Sequence, residues 1–216
     1  NFVYISRNQD VLLDNRTPAS AEAQAAHVEL TLRKVFDFAT TAPLEEIEFI
    51  LEARRLNKNA AERSFQGKYG HELGRMLRNS QTERNIMGNN TFTHILSYTS
   101  AACDARMAGA MIPVMSNSGS GNQGIAATLP VVVYAEDNHN SEEELTRALI
   151  LSHLTAIYIK QSLGRLSALC GCVVAATGSS CGITYLMGGG YQQVMYAVQN
   201  MIATLTGMIC DGAKPS

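Results

Sequence analysis

The chain has 216 residues, enough for one large domain or two small ones, and it can bury a sizeable core without disulfide bridges. Hydrophobic residues make up 46% of the chain and charged residues 17%, which excludes a largely disordered protein. The formal net charge is -2, whereas proteins that bind phosphate backbones are normally basic, so nucleic acid is not expected as a partner.

The N-terminal half predicts a hairpin followed by helices. Residues 1–15 are expected to be extended, with a turn at Arg7 to Asp10. Pro18 suits the first turn of a helix that should reach about Thr40. Leu44 to Leu56 repeats the helical spacing of apolar residues. Residues 57–90 are the most polar stretch and predict short helices on the surface.

The C-terminal half predicts longer and more apolar helices. The first should run from Thr91 to Met115. Ser141 and Glu144 form a capping box, which opens a helix that should end at Gly164. Two further helices are expected over residues 166–187 and 191–209. The fold class is therefore mainly α: a multi-helix domain with buried, uncharged central helices and a few short β-strands.

Charged residues are missing from two long segments. No Asp, Glu, Lys or Arg occurs in the 29 residues between Arg106 and Glu136, or in the 45 between Arg165 and Asp211. A membrane span is one interpretation, but the second segment holds many polar residues and lacks basic flanks, so no membrane is expected. We predict instead that residues 107–135 and 166–210 form the interior, with both C-terminal helices mostly buried.

The chain has five cysteines, and their odd number without a secretory signal favours free thiols in a reducing, cytoplasmic location. They are Cys103, Cys170, Cys172, Cys181 and Cys210. Core packing is the favoured interpretation for Cys103 and Cys181. Zinc is disfavoured because paired C-x-x-C motifs are absent. Cys170 and Cys210 would meet if the last two helices pack antiparallel, so an iron–sulfur cluster remains an alternative interpretation for these two thiols.

A glycine-rich segment lies inside the first uncharged stretch. It contains Gly119-x-Gly121-x-x-Gly124, the dinucleotide fingerprint. Pro130 predicts that the following helix is too short for that fold, so a nucleotide-binding domain is the weaker alternative. Small residues instead favour an anion-binding turn for a small amino acid. The candidate substrate-binding residues are Ser116, Asn117, Ser118, Gly119, Ser120, Gly121, Asn122 and Gln123.

Two segments together resemble a known family. Residues 104–125, with Pro113-Val114-Met115-Ser116 leading into the glycine-rich segment, form the first. Residues 166–172 and 207–214, with Cys210-Asp211-Gly212-Ala213-Lys214, form the second. Both resemble the serine dehydratase alpha-chain-like family, which includes iron–sulfur L-cysteine desulfidases. The chain lacks an initiator Met, so we expect a single domain over residues 1–216 that is the C-terminal, cluster-bearing portion of a longer protein.

The resemblance implies a [4Fe–4S] cluster held by three cysteines, with one iron open. Cys170 and Cys210 match two of the ligand positions, and the third is expected just beyond Ser216. The implied reaction is β-elimination of L-cysteine or L-serine to pyruvate and ammonia, with release of sulfide or water. The proposed base lies in an N-terminal half outside this chain. We therefore expect this chain alone to be inactive and to lack the cluster.

Several expectations remain open at this point. The missing half can be part of the same protein or a partner subunit, and a homodimer is an alternative. A cluster-free small-molecule binding or regulatory module is the main alternative function. For His153, a core histidine with its hydrogen bonds satisfied is favoured over a catalytic histidine. Cys103 is expected to lie apart from Cys170 and Cys210, and the glycine-rich segment should face the same cavity as that pair.

Overall fold

The computed structural model describes residues 4–8, 10–15, 28–79, 88–164, 170–205 and 207–208. It divides into two compact units, residues 1–30 and 31–216. The first unit contains an antiparallel hairpin of β1 (Tyr4–Arg7) and β2 (Asp10–Asp14), with Tyr4 opposite Asp14. The predicted hairpin is therefore confirmed, while the single-domain organisation stays a prediction.

The second unit is helical, which confirms the mainly α fold class. Its elements in chain order are α1 (Leu32–Thr41), α2 (Leu44–Ile47), a 3₁₀ turn (Glu48–Ile50), α3 (Leu51–Gln66), α4 (Leu73–Asn79), α5 (Thr91–Met107), α6 (Gly121–Asp137), α7 (Glu142–Leu163), α8 (Gly171–Leu186) and α9 (Tyr191–Leu205). No helix in the described part of the chain is both long and apolar enough to cross a membrane.

Polar side chains set where several helices begin. Thr31 accepts a hydrogen bond from the Lys34 backbone N–H, so α1 begins at Leu32 and residues 28–31 are not helical. The helix predicted from Pro18 onward is therefore wrong over residues 28–31. The earlier part of that predicted helix lies outside the described residues. The predicted capping box of Ser141 and Glu144 is confirmed at the start of α7.

Helix α3 corrects the expectation of short surface helices after residue 56. It continues without a break to Gln66 and buries one face. The side chains on that face are small or polar, so they form no strong apolar pattern in the sequence: Ala53, Asn57, Ala60, Ala61 and Ser64. These side chains are small, so α5 and α6 can approach α3 closely.

Helix α6 lies at the centre of the helical unit and packs against α3, α5, α7 and α8. It continues through Pro130, which the sequence predicted would end it. Proline removes one backbone hydrogen bond, to the carbonyl of Ala126. Ala126 and Pro130 both lie on the partly exposed side, while Ile125, Leu129 and Val132 are fully buried, so burial of the apolar side outweighs the lost bond.

Helices α7 and α8 pack closely because α8 carries glycine at the contact. A methyl group at Gly178 would lie 2.4 Å from the carbonyl oxygen of Ser152, and one at Gly182 would lie 2.8 Å from that of Ala148. Glycine at these two positions therefore sets the distance between the helices.

The prediction that both C-terminal helices are mostly buried is wrong for α9. Its buried side chains are Val194 and Val198, whereas Tyr196 and Ile202 are exposed. The reason is that α9 packs on α8 and α1 along one face only. Met111, inside the first uncharged segment, is also fully exposed, and apart from Asn117 the residues of that segment before α6 are not buried.

Candidate functional site

The glycine-rich segment forms a two-residue β-turn that leads directly into α6. Asn117 and Ser120 exchange backbone hydrogen bonds in both directions, each 3.0 Å long. Between them, Ser118 and Gly119 have φ values of 49° and 82°. Two successive positive φ values are typical of a type I′ turn. The Ser120 side chain then accepts from the Gln123 backbone N–H and caps α6. Residues 116–120 are called the hairpin below.

Asn57 of α3 fixes the chain on both sides of the hairpin. Its Oδ1 accepts from the Met115 backbone N–H at 2.9 Å. Its Nδ2 donates to the Gly124 carbonyl at 3.2 Å and to Thr128 Oγ1 at 3.0 Å. Asn57 is fully buried, so these bonds form away from water and hold the hairpin's two ends together.

His153 of α7 anchors the hairpin from the other side. Asn117 Nδ2 donates to His153 Nδ1 at 3.2 Å, and His153 Nε2 lies 3.0 Å from Thr128 Oγ1. Thr128 already donates its proton to the Gly124 carbonyl, so Nε2 carries the imidazole proton and donates it. Burial lowers the pKa of His153 to about 4. His153 is therefore a neutral, fully bonded core histidine, as the sequence favoured.

The predicted substrate-binding residues divide into buried and accessible groups. Asn117 is buried: both Nδ2 protons are donated to His153, and Oδ1 accepts from Gln123 and Ser118. Gln123 and Gly121 are buried as well. Partly or fully accessible are Ser116, Ser118, Gly119, Ser120 and Asn122. Any direct contact with a substrate therefore falls to this second group, and that role stays a prediction.

The hairpin region meets the N-terminus of α8, where Cys170 lies. Gly171 packs against the side chain of Gln123, since a methyl group at Gly171 would lie 2.9 Å from Gln123 Oε1. The Cys170 backbone N–H donates to the Met208 carbonyl at 3.2 Å. The chain leading to Cys210 therefore passes next to Cys170. Cys210 itself, like Lys214, lies outside the described residues.

The remaining cysteines fall into two environments. Cys181 is buried, and burial raises the pKa of its thiol to about 12, in agreement with core packing. Burial also raises the pKa of Cys103 to about 12, and the Cys172 thiol adds to this rise. Cys103 packs partly against the core. Its expected separation from Cys170 and Cys210 stays a prediction.

Arg106 of α5 contacts the first turn of α6, and no role for it was predicted from the sequence. Its Nη1 donates to Asn122 Oδ1 at 3.0 Å and contacts Met107 Sδ at 3.3 Å. A methyl group at Gly121 would lie 2.2 Å from Arg106 Nε, so the guanidinium packs on the bare face of that glycine. The available signal was the position of Arg106 as the last charge before an uncharged segment.

Thiol ligands gathered at one place can hold an iron–sulfur cluster, and Cys170 is such a thiol. It is half-buried and free. Within the part of the chain that the structure describes, no group of three or more His, Cys, Asp or Glu side chains is placed to hold a metal ion. The contact between Cys170 and the segment before Cys210 fits a two-thiolate arrangement completed by residues outside that part.

The structure does not support the alternative of a nucleotide-binding domain. The fingerprint requires a β-strand immediately before its glycines. Residues 108–116 contain none, and the strands among the described residues belong to the hairpin of residues 4–14. The long helix after the glycines, which the sequence did not predict, is therefore not part of a dinucleotide-binding unit.

Comparison with known proteins agrees with this geometry. The family model for the serine dehydratase alpha chain matches residues 10–216. The chain belongs to the serine dehydratase alpha-chain family. It is 77% identical over 216 residues to a UPF0597 protein of Phocaeicola vulgatus, 74% over 215 residues to one of Bacteroides fragilis, and 49% over 219 residues to one of Vibrio parahaemolyticus.

Each of these three alignments includes the whole of this chain but only 50%, 50% and 51% of the relative, respectively. The chain therefore spans about half the length of the curated relatives that it matches. No solved structure matches it significantly.

Proposed function

We propose that this chain is the cluster-bearing part of an iron–sulfur-dependent amino-acid lyase that acts on L-cysteine or L-serine. The observation that carries the proposal is the meeting of three features at one end of α8. Cys170 lies there, the chain leading to Cys210 is hydrogen-bonded to it, and the first turn of α6 packs against Gly171. Membership of the serine dehydratase alpha-chain family supports the same reaction class.

In this proposal Cys170 and Cys210 hold a [4Fe–4S] cluster together with a third cysteine beyond Ser216. When bound, the cluster supplies a Lewis-acidic iron that favours departure of the β-substituent. The substrate loses its α-proton and its β-thiol or hydroxyl, which leaves aminoacrylate. Aminoacrylate then tautomerises and is hydrolysed to pyruvate and ammonia.

The described residues contribute positioning. The exposed hairpin residues Ser118 and Gly119 present backbone and hydroxyl groups. The hydrogen-bond network of Asn57, Thr128 and His153 supports the hairpin. Rigid placement of a substrate accounts for a large part of many rate accelerations. His153 is not the base, because its Nδ1 lone pair already accepts from Asn117 and burial keeps its pKa low.

Anaerobic reconstitution of the full-length protein with iron and sulfide tests the proposal. We expect visible cluster absorbance, sulfide release from L-cysteine or pyruvate formation from L-serine, and loss of both signals in Cys170→Ala and Cys210→Ala. Cys172→Ala is the matched control, because this exposed cysteine lies in the same helical turn and is not assigned as a ligand. A protein that binds amino acids without taking up a cluster would instead be the cluster-free binding module.

A further inference from the structure

We infer that Arg106 is the residue that recognises the α-carboxylate of the substrate, and this inference rests on the proposed lyase function. Arg106 is half-buried at the C-terminal end of α5. Its Nη1 contacts Asn122 and Met107. Among the residues that the structure describes, no carboxylate forms an ion pair with it and none of them accepts from Nε or Nη2.

The Nε and Nη2 edge of this guanidinium has the shape that a carboxylate needs. Nε–H and one Nη2–H point in parallel and can donate to the two oxygens of one carboxylate. Because Nη1 is already bonded, the remaining donors on the Nε and Nη2 side are the ones that a ligand can use. An arginine that pairs with no carboxylate among the described residues, and that is held in place beside a candidate substrate hairpin, is therefore suited to bind a carboxylate.

Two contacts fix the direction of Arg106. The guanidinium lies against Gly121, where even a methyl group would come within 2.2 Å of Nε and 3.0 Å of Cζ. Asn122 accepts from Nη1 and contacts Met107 Sδ through its own Nδ2 at 3.2 Å. Gly121 and Asn122 are thus the residues that set the position of the arginine, which gives a physical reason for both residue types in the motif.

The position of Arg106 also fits the proposed orientation of an amino acid. Arg106 contacts Asn122, and the next residue, Gln123, packs against Gly171 beside Cys170. A substrate whose carboxylate is bound by Arg106 can therefore extend its β-substituent toward the cysteine end of α8.

The test compares ligands with and without a carboxylate in the reconstituted full-length protein. Calorimetry gives the affinities of L-serine and L-cysteine and of ethanolamine and cysteamine, which lack that group. For Arg106→Gln we expect an increase in Kd and KM of about 30-fold, which is about 2 kcal/mol at 1.4 kcal/mol per tenfold. The preference for the amino acid over its amine should fall by the same factor, while cluster absorbance is unchanged.

Three further variants separate recognition from folding. Arg106→Lys keeps the charge but loses the fork, so it should recover only part of the affinity. Gly121→Ala displaces the guanidinium without removing it and should reproduce the loss of preference. Arg63→Gln, at an exposed arginine in the last turn of α3, should leave all these affinities unchanged.

The outcomes distinguish the two proposals. An unchanged preference for the carboxylate in Arg106→Gln overturns the role of Arg106, even if the wild-type protein turns over amino acids. Binding and carboxylate preference without any turnover would support Arg106 and overturn the lyase function. If the wild-type protein binds neither ligand class, both proposals are wrong.

Discussion

Replacing Asn57 with alanine should loosen the hairpin and lower the stability of the whole helical unit. The substitution leaves the partly buried Met115 N–H without its side-chain acceptor, which costs about 1–3 kcal/mol. It also removes the bonds to the Gly124 carbonyl and to Thr128 Oγ1, at about 1 kcal/mol each at most. Those two acceptors keep other partners, so their loss costs less. Together the expected destabilisation is about 3 kcal/mol.

Urea denaturation of the full-length protein gives the free energy of unfolding directly. A loss of about 3 kcal/mol corresponds to a fall in Tm of about 6–12 °C for a unit of about 200 residues that unfolds cooperatively. Asn59→Ala is the matched control, since it makes the same change two residues away on the exposed side of α3. Alanine is the better helix former by about half a kcal/mol, so this control should be neutral or slightly stabilising.

Hydrogen exchange then shows where the effect acts. The amides of Met115, Asn117 and Ser120 should exchange faster in Asn57→Ala, because the two ends of the hairpin are no longer joined through α3. The reasoning is refuted if Asn57→Ala and Asn59→Ala have the same stability. It is also refuted if stability falls but the hairpin amides keep their wild-type protection.

Three other predictions test separate parts of the structure. His153 is less basic when folded, with a pKa lowered from 6.5 to about 4, so its stabilisation is complete above pH 6.5 and is lost as pH falls toward 4. His153→Gln should lack this decline of up to about 3 kcal/mol in pH-dependent denaturation. Gly178→Ala should lower stability by about 2 kcal/mol in thermal denaturation despite its better helix propensity, because the new methyl group meets the Ser152 carbonyl, and an unchanged Tm would contradict this contact. In the reconstituted protein, Asn122→Ala and Ser118→Ala should reduce turnover and leave cluster absorbance intact, whereas full activity in both would exclude the hairpin from substrate binding.

The features that could be predicted from the sequence depend on neighbouring residues. The capping box of Ser141 and Glu144 is complete within four residues, and Gly164 ends the same helix with a φ of 79°. The hairpin of residues 4–14 follows from two short apolar stretches on either side of a polar turn. In each case the residues that decide the structure are adjacent in the chain, so the local physical chemistry is sufficient.

The features that could not be predicted depend on contacts between distant segments. Pro130 is tolerated because α6 is surrounded by other helices, and no local rule contains that information. Asn57 resembles any polar residue of a surface helix until Met115 and Thr128 are placed against it. The position of the Arg106 guanidinium depends on its packing against Gly121, which has no side chain and lies in another helix. Composition and spacing alone do not specify these pairings.

The anchoring of the hairpin has a consequence for protein engineering. A surface loop that is held only at its ends can be exchanged between homologues as a continuous peptide. Here Asn57, Thr128 and His153 bond to the hairpin or to the backbone at its ends, and they come from three different helices. A grafted segment without these three partners would have the correct sequence, but nothing would hold it in the correct conformation. The exchangeable unit is therefore discontinuous, and redesign of substrate choice must transfer the hairpin together with its three supporting side chains.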